Sequence, residues 1–304
     1  MVKAFMFPGQ GSQRRGMGQE LFDSVEQFTS IERQIDAILG YSVRTLCLEN
    51  PQNRLSQTQY TQPALYIVNA LHYFAKIEKG IQADCVIGHS LGEYNALLAA
   101  GAIDFMTGLR LVQKRGALMA RAQAGGMAAV IGLAPERIQA VFRGRGFGSL
   151  DVANFNSPAQ TVISGPAEEI KQVGPHMLAA GATHYMPLPV SAAFHSRYMK
   201  LAAQEFEGYL MPFHFQPLQL PVISNVTARP YPAGSDIKHL LVRQISSPVQ
   251  WMQSIGYLRE QGCVDFEEVG PGNVLTKLAQ QIGVMPVHAL PRLNQPILPQ
   301  SAAS

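Results

Sequence analysis

The segment Gly88-His89-Ser90-Leu91-Gly92 constrains this chain more than any other. An apolar run, Ala83-Asp84-Cys85-Val86-Ile87, precedes it and reads as a buried strand. The Leu- and Ala-rich run from Leu91 to Gly101 follows it and reads as a helix. A G-x-S-x-G pentapeptide between strand and helix is the setting of a nucleophile elbow. The turn is so tight that side chains at the flanking positions would clash, which favours glycine there. The serine is pushed out at the sheet edge, and the helix aims its N-terminal N–H groups at any anion formed beside it. G-x-S-x-G also arises by chance in Gly- and Ser-containing loops. Here both flanking elements are present, which favours the functional reading.

The 304 residues suffice for one large core or two modest ones. With 47% hydrophobic and 15% charged residues, the composition is that of a globular protein. No apolar run reaches the roughly 18 residues of a membrane span. The N-terminal MVKAFMF is too short before Pro8 for a signal peptide and reads as the first strand. Cys47, Cys85 and Cys263 have neither metal-ligand spacing nor an even framework, which fits a reducing, cytoplasmic setting. The net charge of +3 is mild, and no basic run carries interleaved aromatics, so nucleic acid is not an expected partner.

Strand-like and helix-like runs alternate almost throughout, which predicts an α/β protein with a mainly parallel sheet. Val2–Phe7 is a strand and 8–16 a glycine-rich loop; helices are expected near 17–39, 62–79 and 107–123. Between 125 and 190 the order becomes βαββαβ, the pattern of a ferredoxin-like unit inserted in the larger domain. Its strands are read at 126–132, 150–153, 160–164 and 182–190, and its helices at 135–142 and 166–180. The large domain then resumes with a helix from Arg197, a strand at 220–224, a helix near 248–260, a strand at 264–269 and a last helix after Gly272. The expected domains are therefore 1–124 with 191–283, and 125–190. The Pro-, Gln- and Ser-rich stretch 284–304 reads as a flexible tail or linker.

A serine hydroxyl needs a base to take its proton. Of eight histidines, His89 adjoins Ser90, but consecutive side chains at such a turn point apart, so it is expected behind the reacting groups. His72, His176, His184, His214, His239 and His288 lie in no local motif. His195 follows small residues at the junction of the two expected domains, where clefts form, and leads among several candidates. The oxyanion needs N–H donors. Leu91, directly after the serine, is one, and the Pro8–Gln13 loop is the natural source of a second. That loop lacks a following G-K-[ST], which argues against phosphate binding. Arg115 lies three residues from Val112 and four from Met119, toward the apolar stripe of its helix, whereas Arg110, Lys114 and Arg121 share the polar face. A buried guanidinium cannot shed its charge and needs an anion, either a protein carboxylate or a ligand's.

These residues resemble those of the malonyl-CoA:acyl-carrier-protein transacylases. PGQGSQ at 8–13, TQPAL at 61–65, GHSLGEY at 88–94 and LVQKRGALM at 111–119 recur together in that family. So do ANFNSP at 153–158, AFHS at 193–196, ISNVTARP at 223–230, SPVQW at 247–251 and EVGPGNVLT at 268–276. The likeness spans about 2–283, and SAAFHS in a short discrete chain is most similar to trans-acting polyketide synthase acyltransferases. The resemblance implies an α/β-hydrolase-like large domain with a ferredoxin-like small one. It implies Ser90 as the acylated nucleophile and His195 as general base and acid. Gln10 and Leu91 become the oxyanion donors and Arg115 the holder of the malonyl carboxylate. In the family a backbone carbonyl orients the histidine, here that of Gln244, and His89, Asn154 and Asn156 line the pocket. Phe194 matches the malonyl-type pattern, in which a ring fills the space of an α-methyl group; the full pattern has His where this chain has Ala192. The implied substrate is malonyl-CoA. The implied partner is an acyl carrier protein bearing phosphopantetheine, with polyketide synthase modules as its setting, and the enzyme needs no cofactor of its own. An editing acyl hydrolase and a non-catalytic docking domain remain the rival readings.

Overall fold

The structure, a computed structural model, describes residues 2–122, 124–232 and 237–283. Strand β1 (Val2–Phe7) leads through a long connection to helices α1 (Glu26–Leu39), α2 (Val43–Glu49) and α3 (Thr58–Glu78). Then come β2 (Cys85–Gly88), α4 (Gly92–Ala99) and α5 (Phe105–Arg121). The middle section runs β3 (Gly125–Ile131), α6 (Pro135–Arg145), β4 (Asp151–Ser157), β5 (Gln160–Pro166), α7 (Ala167–Ala179) and β6 (His184–Pro187). The chain closes with α8 (Lys200–Leu210), β7 (Val222–Ile223), α9 (Ile237–Ser246), α10 (Trp251–Glu260), β8 (Cys263–Glu268) and α11 (Val274–Gly283). The result is a mixed α/β fold, as the alternation of patterns predicted.

Two sheets organise these elements. The first is parallel throughout, in the order β7-β2-β1-β8. Its inner strands β1 and β2 are largely apolar on both faces because helices cover both, whereas the edge strand β8 carries Asp265, Glu267 and Glu268. Phe5, Phe7 and Val86 pack with Leu65, Leu97 and Leu109 from α3, α4 and α5. The alternate residues Ala4, Met6 and Ile87 pack with Trp251, Ile255 and Leu278 from α10 and α11. The second sheet is antiparallel, in the order β4-β5-β3-β6. The period of two splits it cleanly. Ala128, Val130 and Ile163 face Ile138, Val173 and Met177 of α6 and α7, while Met127, Ala129 and Val162 face the cleft toward the first sheet. Main-chain bonds stitch the two parts together: the Phe155 N–H donates to the Val249 carbonyl at 2.9 Å and the Val249 N–H to the Ala153 carbonyl at 2.9 Å.

Boundaries moved for local reasons. The helix expected from 17 starts only at Glu26, because Gly18 takes a left-handed φ of 78° and residues 17–24 form turns. Helix α3 begins at Thr58, ahead of the expected 62, with Pro63 inside it. The strand expected over 182–190 is cut to four residues, since Pro187 and Pro189 have no N–H to donate. Helices α2 and α9 were not foreseen. The stretch read as a tail, 284–304, lies outside the described residues.

Candidate active site

The elbow forms as its glycines require. A Cβ on Gly88 would fall 1.9 Å from the Gly92 carbonyl carbon, and one on Gly92 would fall 2.0 Å from the Phe7 carbonyl oxygen. Between them Ser90 adopts φ 51°, a left-handed conformation that a non-glycine residue enters at a cost. Asn225 splints the turn: its Oδ1 accepts from the Ser90 N–H at 2.7 Å and its Nδ2 donates to the Gly88 carbonyl at 2.6 Å. Sequence reasoning quoted the ISNVT segment without finding this role. An asparagine directly after the expected strand 220–224 was the available signal.

His195 approaches across the cleft from the segment that follows β6. Its Nε2 lies 2.7 Å from Ser90 Oγ, and its Nδ1 lies 2.8 Å from the Gln244 carbonyl oxygen. A carbonyl only accepts, so Nδ1 carries the proton and Nε2 offers its lone pair to the serine hydroxyl. That tautomer suits a base. Burial, and then the nearby Arg115 charge, push the His195 pKa down to about 3 against the pull of the Gln244 carbonyl. The imidazole is therefore neutral before reaction.

Arg115 projects from α5, completely buried. Asp104 caps that helix by accepting from the Thr107 N–H at 2.8 Å. The guanidinium donates to Gln62 Oε1 (2.7 Å), Gln244 Oε1 (2.9 Å) and Ser90 Oγ (3.1 Å), while its buried Nε has no partner. Among the described residues it forms no ion pair; every direct partner is neutral. Of the two anions the sequence left open, a touching protein carboxylate is thus not the one found. Burial lowers the Arg115 pKa, and Tyr94 and Glu93 oppose that shift.

The remaining sequence-predicted residues converge on the same cleft, of about 240 Å³. Gln10, Leu91, Arg115, Phe194, His89, Asn154 and Asn156 all line it, together with Ser90 and His195. His89 turns away from the serine, as expected, and its Nε2 lies 2.9 Å from Asn156 Oδ1 and 3.5 Å from Asn154 Nδ2. The backbone N–H groups of Gln10 and Leu91 donate to no protein acceptor among the described residues and remain available to an anion. Gln244 reaches the site from α9 through both its carbonyl and its side chain. Gln62 and Glu93, also embedded in this polar cluster, were not singled out from the sequence. A larger hollow of about 470 Å³ between the end of α5, the start of β3 and α8 includes neither Ser90 nor His195 and lies apart from this chemistry. No cluster of three metal-ligating side chains occurs among the described residues, and none of their helices is long and apolar enough to cross a membrane.

The arrangement can activate a hydroxyl, hold an oxyanion and receive a carboxylate within one pocket. Known proteins are similar to the chain over most of its length. The family model described as the acyl transferase domain matches residues 4–290. The polyketide biosynthesis malonyl CoA-acyl carrier protein transacylase BaeC of Bacillus velezensis is 52% identical over 280 residues, covering 91% of this chain and 96% of that one. The crystal structure of a malonyl CoA-acyl carrier protein transacylase from Burkholderia pseudomallei superposes with a TM-score of 0.89 at 47% identity, covering 94% of this chain and 99% of that one. A type II polyketide synthase acyl-carrier protein in complex with its malonyl-transacylase matches with a TM-score of 0.88 at 38% identity, over 93% of each chain. With that likeness running through nearly the whole described chain, the protein belongs to the acyl transferase domain family.

Proposed function

We propose that this chain transfers a malonyl group from malonyl-CoA, through an ester on Ser90, to the phosphopantetheine thiol of an acyl carrier protein. The observation that carries the reading is Arg115: a buried cation without a touching carboxylate, one nitrogen 3.1 Å from the Ser90 hydroxyl. A guanidinium so placed meets the free carboxylate of a malonyl group whose thioester carbonyl faces the serine.

The proton on Ser90 Oγ passes to His195 Nε2 as Oγ attacks the thioester carbon. The oxyanion is received by the Gln10 and Leu91 N–H groups, each worth about 3 kcal/mol of transition-state stabilisation. Collapse breaks the C–S bond, and His195 returns its proton to the leaving CoA sulfur. In the second half the phosphopantetheine thiol gives its proton to His195, attacks the malonyl-serine ester and releases Ser90, which is reprotonated. Each half forms an imidazolium beside Arg115. The malonyl carboxylate cancels the guanidinium charge and so removes one of the two main penalties on that imidazolium. The substrate thereby assists its own activation. Phe194, buried against the cleft, fills the space an α-methyl group would need.

The identity to BaeC supports service to a polyketide synthase, and a CoA thioester substrate fits the cytoplasm. We read the parallel sheet with its helices, 1–124 and 191–283, as the α/β-hydrolase-like catalytic domain. The βαββαβ unit, 125–190, is read as a ferredoxin-like insert that walls the cleft. The test is intact mass spectrometry after mixing with malonyl-CoA, then with carrier protein bearing phosphopantetheine. A malonyl adduct on Ser90 that moves to the carrier thiol is expected. An adduct lost only to water, or no adduct, overturns the reading.

A further inference from the structure

Glu93 is a buried carboxyl group, 1% exposed, that the proposed reaction does not use. It lies one helical turn from Ser90, yet no atom of it touches the serine side chain, His195 or Arg115 through a hydrogen bond. Its Oε1 accepts from the Tyr231 hydroxyl at 2.7 Å and from the Asn225 N–H at 3.2 Å; its Oε2 accepts from Gln244 Nε2 at 2.5 Å. Two of these three partners can only donate, so the site calls for an acceptor on both oxygens, as an ionised carboxylate provides. Burial works against that charge and lifts Glu93 to about 7; the three donors and the Arg115 charge pull the other way.

Gln244 converts this acceptor into geometry. Its Nε2 donates to Glu93 and to the Ser90 carbonyl at 2.8 Å, and its Oε1 accepts from Arg115 Nη2 at 2.9 Å. Reversing the carboxamide would set its NH₂ against a guanidinium N–H and its oxygen against two acceptors. Glu93 therefore fixes which end of Gln244 faces Arg115. When ionised, it also supplies a buried negative charge one amide away from the guanidinium. A carboxylate in direct contact would compensate the charge equally but would occupy the guanidinium fork. Placed behind Gln244, it balances the charge and leaves the fork facing the pocket.

We propose that Glu93 is a positioning residue for acyl-group selectivity: acting through the Gln244 carboxamide, it holds Arg115 ready for the second carboxylate of the substrate. The inference rests on the reading of Arg115 given above. Its test compares malonyl-CoA with acetyl-CoA, which lacks that carboxylate, in carrier-protein transfer by the full chain. Glu93→Gln should lower malonyl kcat/KM by about tenfold or more, chiefly through KM, and acetyl kcat/KM by no more than about threefold. Gln244→Met keeps the backbone carbonyl for His195 but cuts the link and the contact to the Ser90 carbonyl, so it should lower transfer of both acyl groups, malonyl by the larger factor; it carries the test if Glu93→Gln does not fold. Adding Glu93→Gln to Gln244→Met should then cost little further. Equal losses for both acyl groups, or losses that multiply in the double variant, overturn the proposal. If Arg115→Ala discriminates between the donors and Glu93→Gln does not, only the role of Glu93 falls. If Arg115→Ala does not discriminate either, the reading of Arg115 falls with it.

Discussion

Replacing Arg115 with alanine separates a carboxylate clamp from a structural cation, and the structure sets the size of the effect. The Nε is buried without a partner, and Nη2 points at Ser90 Oγ from 3.1 Å. A malonyl carboxylate can therefore gain charge-assisted hydrogen bonds that acetyl cannot. Hydrogen bonds to a charged group contribute about 1.5–3 kcal/mol. Taking about 3 kcal/mol in total, malonyl transfer should fall about 150-fold. Acetyl transfer loses only the anchoring of Gln244 and the contact to Ser90, about 1 kcal/mol or roughly fivefold. It also gains, because removing the guanidinium relieves His195 of one source of its depressed pKa. The malonyl-to-acetyl ratio of kcat/KM should thus drop by about 30-fold. Steady-state transfer to a carrier protein with each CoA ester measures it. The acetyl arm also controls for misfolding caused by emptying a buried site. A fall by the same factor with both donors would refute the clamp and leave Arg115 a packing element.

Two further outcomes follow from the same geometry. His195 should stay neutral in the free protein well below its ordinary value of 6.5, because burial and Arg115 both disfavour the imidazolium; nitrogen-15 NMR of labelled histidine checks this, and a titration near 6.5 would contradict it. Gly92→Ala should destabilise the fold by about 3 kcal/mol, since its Cβ meets the Phe7 carbonyl at 2.0 Å; an unchanged urea midpoint would show that the elbow relaxes freely.

What could be read from the chain depended on how local each constraint was. The elbow was legible because its causes, two glycines and the elements beside them, are contiguous. The burial of Arg115 was legible from its helical spacing to Val112 and Met119. Its partners were not, because Gln62 and Gln244 come from α3 and α9, remote in sequence. His195 led among several histidines by its place at a domain junction, but its pairing with Ser90, 105 positions away, was not legible locally and came only from the family resemblance. Glu93 and Asn225 stayed hidden because a buried polar residue acquires its meaning from the donors that fold around it. Helix α9 escaped because Pro- and Gly-containing sequence precedes it, although Leu240, Leu241 and Ile245 are buried in the assembled core.

The junction between the two sheets has a consequence for how such a pocket can diversify. Residues 153 to 155 and Val249 are joined by peptide groups, not by side chains. A peptide bond is common to every amino acid, so this seam survives most substitutions along it. The side chains that line the cleft, such as Phe194 and the asparagines of β4, can therefore be exchanged while the spacing across the cavity is preserved. Substrate choice and mechanical integrity are written in different parts of the polymer, and one can drift without dismantling the other.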